Sequence, residues 1–217
     1  MRATTRFPRG LYGVTPDWPD TQRLLTAIGE AAQGGMKALQ WRRKSGDASE
    51  RLAQAREVGQ LCKRLGLVYI VNDSVETALE VDADGVHLGR DDGSWLQARR
   101  KLGPIKLLGC SCYNELDLAN EALEAGADYI AFGAVYPSTV KPEAVKASLD
   151  HIRQGRKLAD QLWPEAAVVA IGGIHADNAL PVVRAGADSI AVISGIFESS
   201  DIRAAAAACA AAFTGTV

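Results

Sequence analysis

Short apolar runs rich in β-branched residues alternate eight times with Ala-, Leu- and charge-rich segments of helical periodicity along this chain. The candidate strands are 10–14, 36–42, 67–72, 84–88, 106–111, 128–133, 167–171 and 188–193. The candidate helices are 20–33, 48–65, 74–80, 94–101, 115–125, 144–161, 176–185 and 198–213. The 217 residues leave about 27 for each strand–helix unit. This size predicts an α/β fold with parallel strands, a single (β/α)8 TIM-barrel domain over residues 1–217.

The junctions between helices and strands repeat. Ala-Gly-Ala-Asp precedes two strands, at 125–128 and 185–188, and Asp-Ala-Asp-Gly stands at 82–85. Glycine can end a helix in the left-handed conformation, and a strand that is apolar on both faces follows, as a buried parallel sheet requires. The alternative, a doubly wound sheet, usually has a glycine-rich phosphate loop after its first strand, and Leu-Tyr-Gly-Val-Thr-Pro at 11–16 is not one.

Composition excludes several classes of protein. The apolar fraction is 47% and the charged fraction 23%, typical of a globular protein and not of a disordered chain or a coiled coil. A net charge of −2 gives no indication of a nucleic-acid partner or of an acidic membrane surface. The longest apolar stretch, 204–213, is too short to span a bilayer, and the first ten residues contain no signal-peptide core. The four cysteines lack metal-site spacing, which favours reduced thiols and a cytoplasmic location.

Cationic and amide side chains cluster after the second strand. Gln40, Arg42 and Lys44 alternate along the chain, so a strand would place all three on one side. Polar groups on one face of an otherwise apolar strand need a ligand or ion-pair partners. Arginine grips phosphate oxygens with two hydrogen bonds, and lysine acts as a point charge. The pattern predicts an anion site at the C-terminal end of the barrel, the alternative being a solvated strand end.

Two carboxylates end the neighbouring third and fourth strands. Asp73 and Asp92, with Asp91 as a rival for the second position, could hold Mg²⁺ together with substrate phosphates. The alternative is helix capping, because each aspartate comes just before a predicted helix. No group of His, Cys and Asp has zinc spacing, and His87 is interpreted as a packed core histidine.

Glycine and serine follow the last two strands. Gly172-Gly173 and Ser194-Gly195 are typical of a phosphate site built from backbone N–H groups, unless the glycines only form tight turns. Two anion sites and one divalent metal would suit the joining of two phosphorylated small molecules, with pyrophosphate as the leaving group.

Six motifs together resemble the thiamine-phosphate synthase (thiamine-phosphate pyrophosphorylase) family, over residues 11–194. They are Gln-Trp-Arg-Arg-Lys at 40–44, Asn-Asp at 72–73, Ala-Asp-Gly-Val-His-Leu-Gly at 83–89, Tyr-Pro-Ser-Thr-Val-Lys at 136–141, Ala-Ile-Gly-Gly-Ile at 170–174 and Val-Ile-Ser at 192–194. Two positions depart from the family pattern: Val140 replaces a hydroxyl-bearing residue, and Arg90 adds a charge beside the metal aspartates.

The resemblance implies a transferase that couples 4-amino-2-methyl-5-(diphosphooxymethyl)pyrimidine with a thiazole phosphate. Pyrophosphate would leave first, and the thiazole nitrogen would then attack the pyrimidine-stabilised cation. The implied ligands of the pyrimidine diphosphate are Gln40, Trp41, Arg42, Arg43, Lys44, Asn72, Ser111 and Lys141. Those of the thiazole phosphate are Ser138, Thr139, Val140, Gly173, Ile193 and Ser194. Catalysis would fall to Arg42, Lys44, Ser111 and Lys141, with one Mg²⁺ per site on Asp73 and Asp92.

Other functions stay open at this point. A thiazole tautomerase on the same barrel would not need the diphosphate-binding residues that this chain retains. A different phosphate-binding barrel would not bind the pyrimidine diphosphate, and a regulator would bind thiamine intermediates without turnover. We expect small-molecule substrates, no nucleic-acid or membrane partner, and a monomer or homodimer.

Overall fold

The computed structural model describes residues 4–137 and 145–214 and forms a closed barrel of eight parallel strands in sequence order. The strands are β1 Gly10–Val14, β2 Met36–Trp41, β3 Val68–Asn72, β4 Gly85–Leu88, β5 Leu107–Tyr113, β6 Tyr129–Phe132, β7 Ala167–Ile171 and β8 Ser189–Val192. The helices are α1 Thr21–Gln33, α2 Ala48–Leu65, α3 Val75–Glu80, α4 Trp95–Leu102, α5 Leu116–Glu124, α6 Leu149–Leu162, α7 Ala176–Arg184, α8 Ser194–Phe197 and α9 Ile202–Ala210, followed by a 3₁₀ turn at Ala211–Phe213. The predicted fold class is confirmed.

The predicted last helix, 198–213, begins four residues too early, since α9 begins at Ile202. A short helix, α8, begins at Ser194 directly after β8 and ends at Phe197. The Asp201 side chain then accepts a hydrogen bond from the Ala204 backbone N–H (2.8 Å) and starts α9 at Ile202. This N-cap aspartate therefore shortens the predicted helix at its N-terminal end.

The repeated aspartate at the helix–strand junctions joins neighbouring strands at the N-terminal end of the barrel. Asp84, Asp128 and Asp188 each accept a hydrogen bond from a backbone N–H at the start of the preceding strand. These donors are Tyr69 (2.7 Å), Leu108 (2.8 Å) and Val168 (2.8 Å), respectively. Because each bond joins an odd-numbered strand to the next even-numbered one, the repeat helps to set the register of the barrel.

Aromatic rings fill the N-terminal part of the barrel interior. Phe7 is fully buried, and its ring centroid lies 4.9 Å from that of Tyr12 and 4.3 Å from that of Tyr129. Tyr129 can cross the interior because its neighbour on β5 is Gly109, where an added Cβ would lie 1.9 Å from the Tyr129 ring. The rings close this end, so the open space of the barrel lies towards the C-terminal ends of the strands.

The cysteines belong to the layer between the strands and the helices. Cys62, Cys110, Cys112 and Cys209 are all buried there. Burial, with a contribution from the charge of Asp84, raises the pKa of the Cys62 thiol to about 12. Within residues 4–137 and 145–214, no helix has the length and hydropathy needed to cross a membrane.

We expect Gly109→Ala to destabilise the fold by about 1–3 kcal/mol, because the new methyl group would displace the buried Tyr129 ring. The matched control is Gly29→Ala in α1, where an added Cβ has no heavy atom within 4 Å. That variant should gain about 0.5–1 kcal/mol from helix propensity. Urea unfolding of both variants measures the difference, and equal stabilities would contradict the packing derived for Tyr129.

Candidate active site

A cavity of about 390 Å³ opens at the C-terminal end of the barrel. Residues from all eight strands, or from the loops that follow them, line it. Its charged and amide-bearing wall follows β2 to β4 and consists of Gln40, Arg42, Lys44, Asn72, Asp73, Asp91 and Asp92. Its uncharged wall follows β7 and β8 and includes Gly172, Gly173, Ile193 and Ser194. The structure thus brings together most of the predicted site residues.

Arg42 and Lys44 are held at the cavity by the loop that follows β1. The Arg42 backbone N–H donates to the Thr15 hydroxyl (2.8 Å), which donates back to the Arg42 carbonyl oxygen (3.1 Å). Asp17 accepts hydrogen bonds from the backbone N–H groups of Lys44 (3.3 Å) and Ser45, and from the Ser45 hydroxyl (2.7 Å). These bonds fix the backbone of the cationic loop although β2 itself ends at Trp41.

The Asp17 carboxylate is adapted to this role. Burial alone would raise its pKa, but hydrogen bonds from the Ser45 hydroxyl and from the backbone N–H groups of Ser45 and Lys44, together with the charge of Arg42, hold the pKa below its ordinary value. Asp17 therefore remains ionised and keeps accepting these hydrogen bonds at neutral pH.

The two predicted metal aspartates lie close enough to influence each other. Burial raises the pKa of Asp92, the hydrogen bond from the Gly89 backbone N–H (2.7 Å) lowers it, and repulsion from Asp73 raises it again, so that it lies above its ordinary value. Lys44 Nζ lies 3.4 Å from Asp73 Oδ2. Asp73 has a φ of 65°, a conformation that Asp and Asn tolerate better than most other residues.

The helix-capping alternative for these aspartates does not hold. The Ser74 hydroxyl caps α3 by accepting from the Thr77 backbone N–H (3.1 Å), and the Ser94 hydroxyl caps α4 by accepting from the Gln97 backbone N–H (3.4 Å). Neither Asp73 nor Asp92 serves as the N-cap of the helix that follows it.

The two carboxylates fit a magnesium site of the kind that substrate completes. Two carboxylates that repel each other favour a bound cation. No cluster of three or more His, Cys, Asp and Glu side chains suited to a metal occurs in the part of the chain that the structure describes. Mg²⁺ is usually held by one or two carboxylates, substrate phosphates and water. Asp73 and Asp92 could provide the two carboxylates.

The uncharged wall depends on glycine. Gly172 and Gly173 have φ values of 101° and 62°, and a Cβ on Gly173 would lie 2.3 Å from the Pro137 carbonyl oxygen. Asn178 fixes this turn, since its side chain donates to the Gly173 carbonyl oxygen (3.0 Å) and accepts from the His175 backbone N–H (2.9 Å). The glycines form a tight turn and also line the cavity, so the phosphate site remains a prediction.

Four predicted ligands lie outside the described residues: Ser138, Thr139, Val140 and Lys141. The described part of the same loop packs on the end of β7. The Val135 backbone N–H donates to the Ile171 carbonyl oxygen (3.0 Å), and the Tyr136 backbone N–H donates to the Gly172 carbonyl oxygen (3.0 Å). The chain therefore reaches Pro137 next to the uncharged wall.

Trp41 and Arg43 do not lie at the cavity, contrary to the prediction that they contact substrate. The Trp41 indole N–H donates to Gln54 Oε1 of α2 (3.0 Å), and the Arg43 guanidinium lies against Glu50, with 3.8 Å between Nη2 and Oε2. The cause is the alternation of side chains along an extended chain, which directs these two towards α2 and the even-numbered neighbours towards the cavity.

The floor of the cavity is a buried polar chain that the sequence did not indicate. Hydrogen bonds connect Gln40, Tyr12, Tyr129, His87 and Ser111 across the barrel. His87 is packed and satisfied, as predicted, but it also contacts Ser111, a predicted substrate ligand. The tyrosines at inward-facing strand positions could have indicated this polar chain, because a buried hydroxyl needs a hydrogen-bond partner.

Arg90, which departs from the family pattern, pairs with Glu115 of the loop before α5. Its guanidinium lies 4.3 Å from the centroid of the Tyr113 ring. The charge is thereby partly balanced, and Arg90 covers one face of the ring of Tyr113, the last residue of β5, which lines the cavity.

Comparison with known proteins gives a consistent result. A family model described as thiamine monophosphate synthase matches residues 11–196. The chain belongs to the thiamine monophosphate synthase family. A thiamine-phosphate synthase of Bordetella bronchiseptica is 56% identical over 97% of this chain and 98% of that protein, and one of Thiobacillus denitrificans is 52% identical over 93% of each. The solved structure of thiamine phosphate pyrophosphorylase from Pyrococcus furiosus is 34% identical, with a TM-score of 0.80 over 92% of this chain and 93% of that one.

Family membership confirms the resemblance inferred from the six motifs and the prediction of an enzyme of the transferase class. It leaves the metal, the order of steps and the individual residue roles as predictions.

Proposed function

We propose that this member of the family is a Mg²⁺-dependent thiamine-phosphate synthase that joins 4-amino-2-methyl-5-(diphosphooxymethyl)pyrimidine to a thiazole phosphate and releases pyrophosphate. One observation carries the proposal: a single cavity has a wall of cations and carboxylates after β2 to β4 and a wall of glycine and serine after β7 and β8. Two different anion sites at one cavity suit two phosphorylated substrates.

In the proposed reaction, the bond between the pyrimidine methylene carbon and the diphosphate oxygen breaks first. The Arg42 guanidinium and the Lys44 ammonium group bind the diphosphate oxygens and stabilise the charge that develops on them. Asp73 and Asp92 would hold Mg²⁺, which supplies further neutralisation of that charge when bound. Lys141 and Ser111 contribute further donors, as the family resemblance implies.

The second step needs orientation and protection from water. The glycine turn at Gly172–Gly173 and Ser194 hold the thiazole phosphate, so that the ring nitrogen faces the electron-deficient methylene carbon and forms the new C–N bond. Buried apolar side chains, among them Val14, Val169 and Ala191, line the cavity between the two walls. They exclude water that would otherwise capture the cation.

The experiment that tests the function measures pyrophosphate release by the purified chain with each substrate alone and with both, with and without Mg²⁺. We expect metal-dependent release that requires both substrates and yields thiamine phosphate. Release from the pyrimidine diphosphate alone would indicate a hydrolase. Binding of thiazole phosphate without release would favour the tautomerase or the regulator.

The metal site is tested by Asp73→Asn, which removes one negative charge and keeps a residue that tolerates a positive φ. We expect the rate to fall by about 100-fold or more, since metal charge stabilisation is worth several kcal/mol. The Mg²⁺ concentration that gives the half-maximal rate should rise. Asp117→Asn, on the exposed first turn of α5, is the matched control and should retain activity. An Asp73→Asn enzyme with the parent's rate and Mg²⁺ dependence would disprove the assignment.

The assignment of the two walls is tested by Lys44→Ala. We expect the KM for the pyrimidine diphosphate to rise about 5- to 10-fold, because a charged hydrogen bond to a phosphate is lost at an exposed side chain, while the KM for the thiazole phosphate stays within about 2-fold. Asp17→Asn should shift the same KM in the same direction but less, since it only loosens the loop. Lys101→Ala, which removes an ion-paired lysine of equal exposure on α4, is the control. An effect of Lys44→Ala on the thiazole phosphate alone would mean that the walls are reversed.

A further inference from the structure

The polar chain beneath the cavity runs through five side chains from five strands. Gln40 Nε2 donates to the Tyr12 hydroxyl (2.8 Å), and the Tyr12 hydroxyl lies 3.0 Å from that of Tyr129. The Tyr129 hydroxyl lies 3.1 Å from His87 Nδ1, and His87 Nε2 lies 2.8 Å from Ser111 Oγ. Tyr12 and Tyr129 are almost fully buried, whereas Ser111 is partly exposed and lines the cavity.

The amide at one end gives the chain a direction. Burial raises the pKa of the Tyr12 and Tyr129 phenols well above their ordinary value, so each hydroxyl keeps one proton to donate. Among the described residues, the Tyr12 hydroxyl contacts only Gln40 Nε2, which is a donor, and the Tyr129 hydroxyl, so Tyr129 is the acceptor available to the buried Tyr12 proton. In that direction the proton of Tyr129 is left for Nδ1 of His87. Nδ1 is then an acceptor, and the imidazole proton stands on Nε2, where it is donated to Ser111 Oγ.

We propose that Tyr129 and His87 are positioning residues that orient the Ser111 hydroxyl as a hydrogen-bond donor towards an anionic oxygen in the cavity. Ser111 Oγ accepts from His87, so its own proton is left to point into the cavity. The reverse direction would consume that proton on His87 and present only lone pairs, which would repel a phosphate oxygen. The identity of the anion, the pyrimidine diphosphate, rests on the proposed function, whereas the direction of the hydrogen bonds from Gln40 to Ser111 does not.

The direction is measured without substrate. Long-range ¹H–¹⁵N correlation spectra of the ¹⁵N-histidine-labelled protein distinguish a protonated ring nitrogen from an unprotonated one. The protein contains three histidines, so the His87 signals can be assigned by substitution of the other two. We expect His87 to carry its proton on Nε2 and none on Nδ1. A proton on Nδ1, alone or together with one on Nε2, overturns the proposal.

The positioning role is measured with Tyr129→Phe, which removes one buried hydroxyl at nearly constant volume. We expect this variant to lose the fixed Nε2–H tautomer of His87 and to raise the KM for the pyrimidine diphosphate about 5- to 10-fold, with kcat changed less. In a Ser111→Ala background the same substitution should add almost nothing, because the group that it orients is absent.

The matched control is Tyr69→Phe. Tyr69 is a buried tyrosine of β3 whose hydroxyl donates to the Ala55 carbonyl oxygen (2.8 Å), outside the barrel interior. Its loss should lower stability but leave the His87 tautomer and the KM unchanged. If Tyr129→Phe behaves like Tyr69→Phe, the hydroxyl is only structural and the proposal fails. If the tautomer is as expected but the enzyme does not use the pyrimidine diphosphate, the proposed function fails and the orientation of Ser111 stands.

Discussion

The buried ring of Tyr129 is the point on which both the packing of the barrel and the polarity of its site depend. The ring fills the interior because Gly109 has no side chain, and it packs against Phe7 at the closed end. Its hydroxyl cannot be left unpaired at zero exposure, so it must bond to Tyr12 and His87. A packing requirement below the cavity therefore decides which polar groups the cavity floor presents.

The remainder of the site is divided by charge, and the division follows strand order. Parallel strands bring all their C-terminal ends to one rim, so residues far apart in sequence become neighbours there. The half of the rim after β2 to β4 holds Arg42, Lys44 and the two aspartates, and the half after β7 and β8 holds backbone and a serine hydroxyl. A pair of like-charged carboxylates would be costly by itself, and Lys44 beside Asp73 reduces that cost before any cation binds.

The sequence predicted what depends on local period and composition. Eight strands, the inward alternation of Gln40, Arg42 and Lys44, and the aspartates at the strand ends all follow from spacing along a few residues. The same alternation directs the Trp41 and Arg43 side chains towards α2, whereas the family resemblance assigned all five residues of the motif to substrate. The serines at 74 and 94 were available as helix caps, and they would have released Asp73 and Asp92 from that role. The chain from Gln40 to Ser111 joins five strands, and no local pattern predicts such a contact.

The two kinds of polar group at the cavity differ in how much they must rearrange when substrate binds. The Lys44 side chain is 58% exposed and paired with Asp73, so it must lose water and give up part of that ion pair to bind a phosphate. Ser111 lies on a strand and is bonded to His87, which is itself held by Tyr129. A donor fixed in this way loses little entropy when an anion binds to it. In the proposed reaction, the exposed cations would therefore supply most of the attraction for the diphosphate, and the buried polar chain would supply a donor of fixed direction.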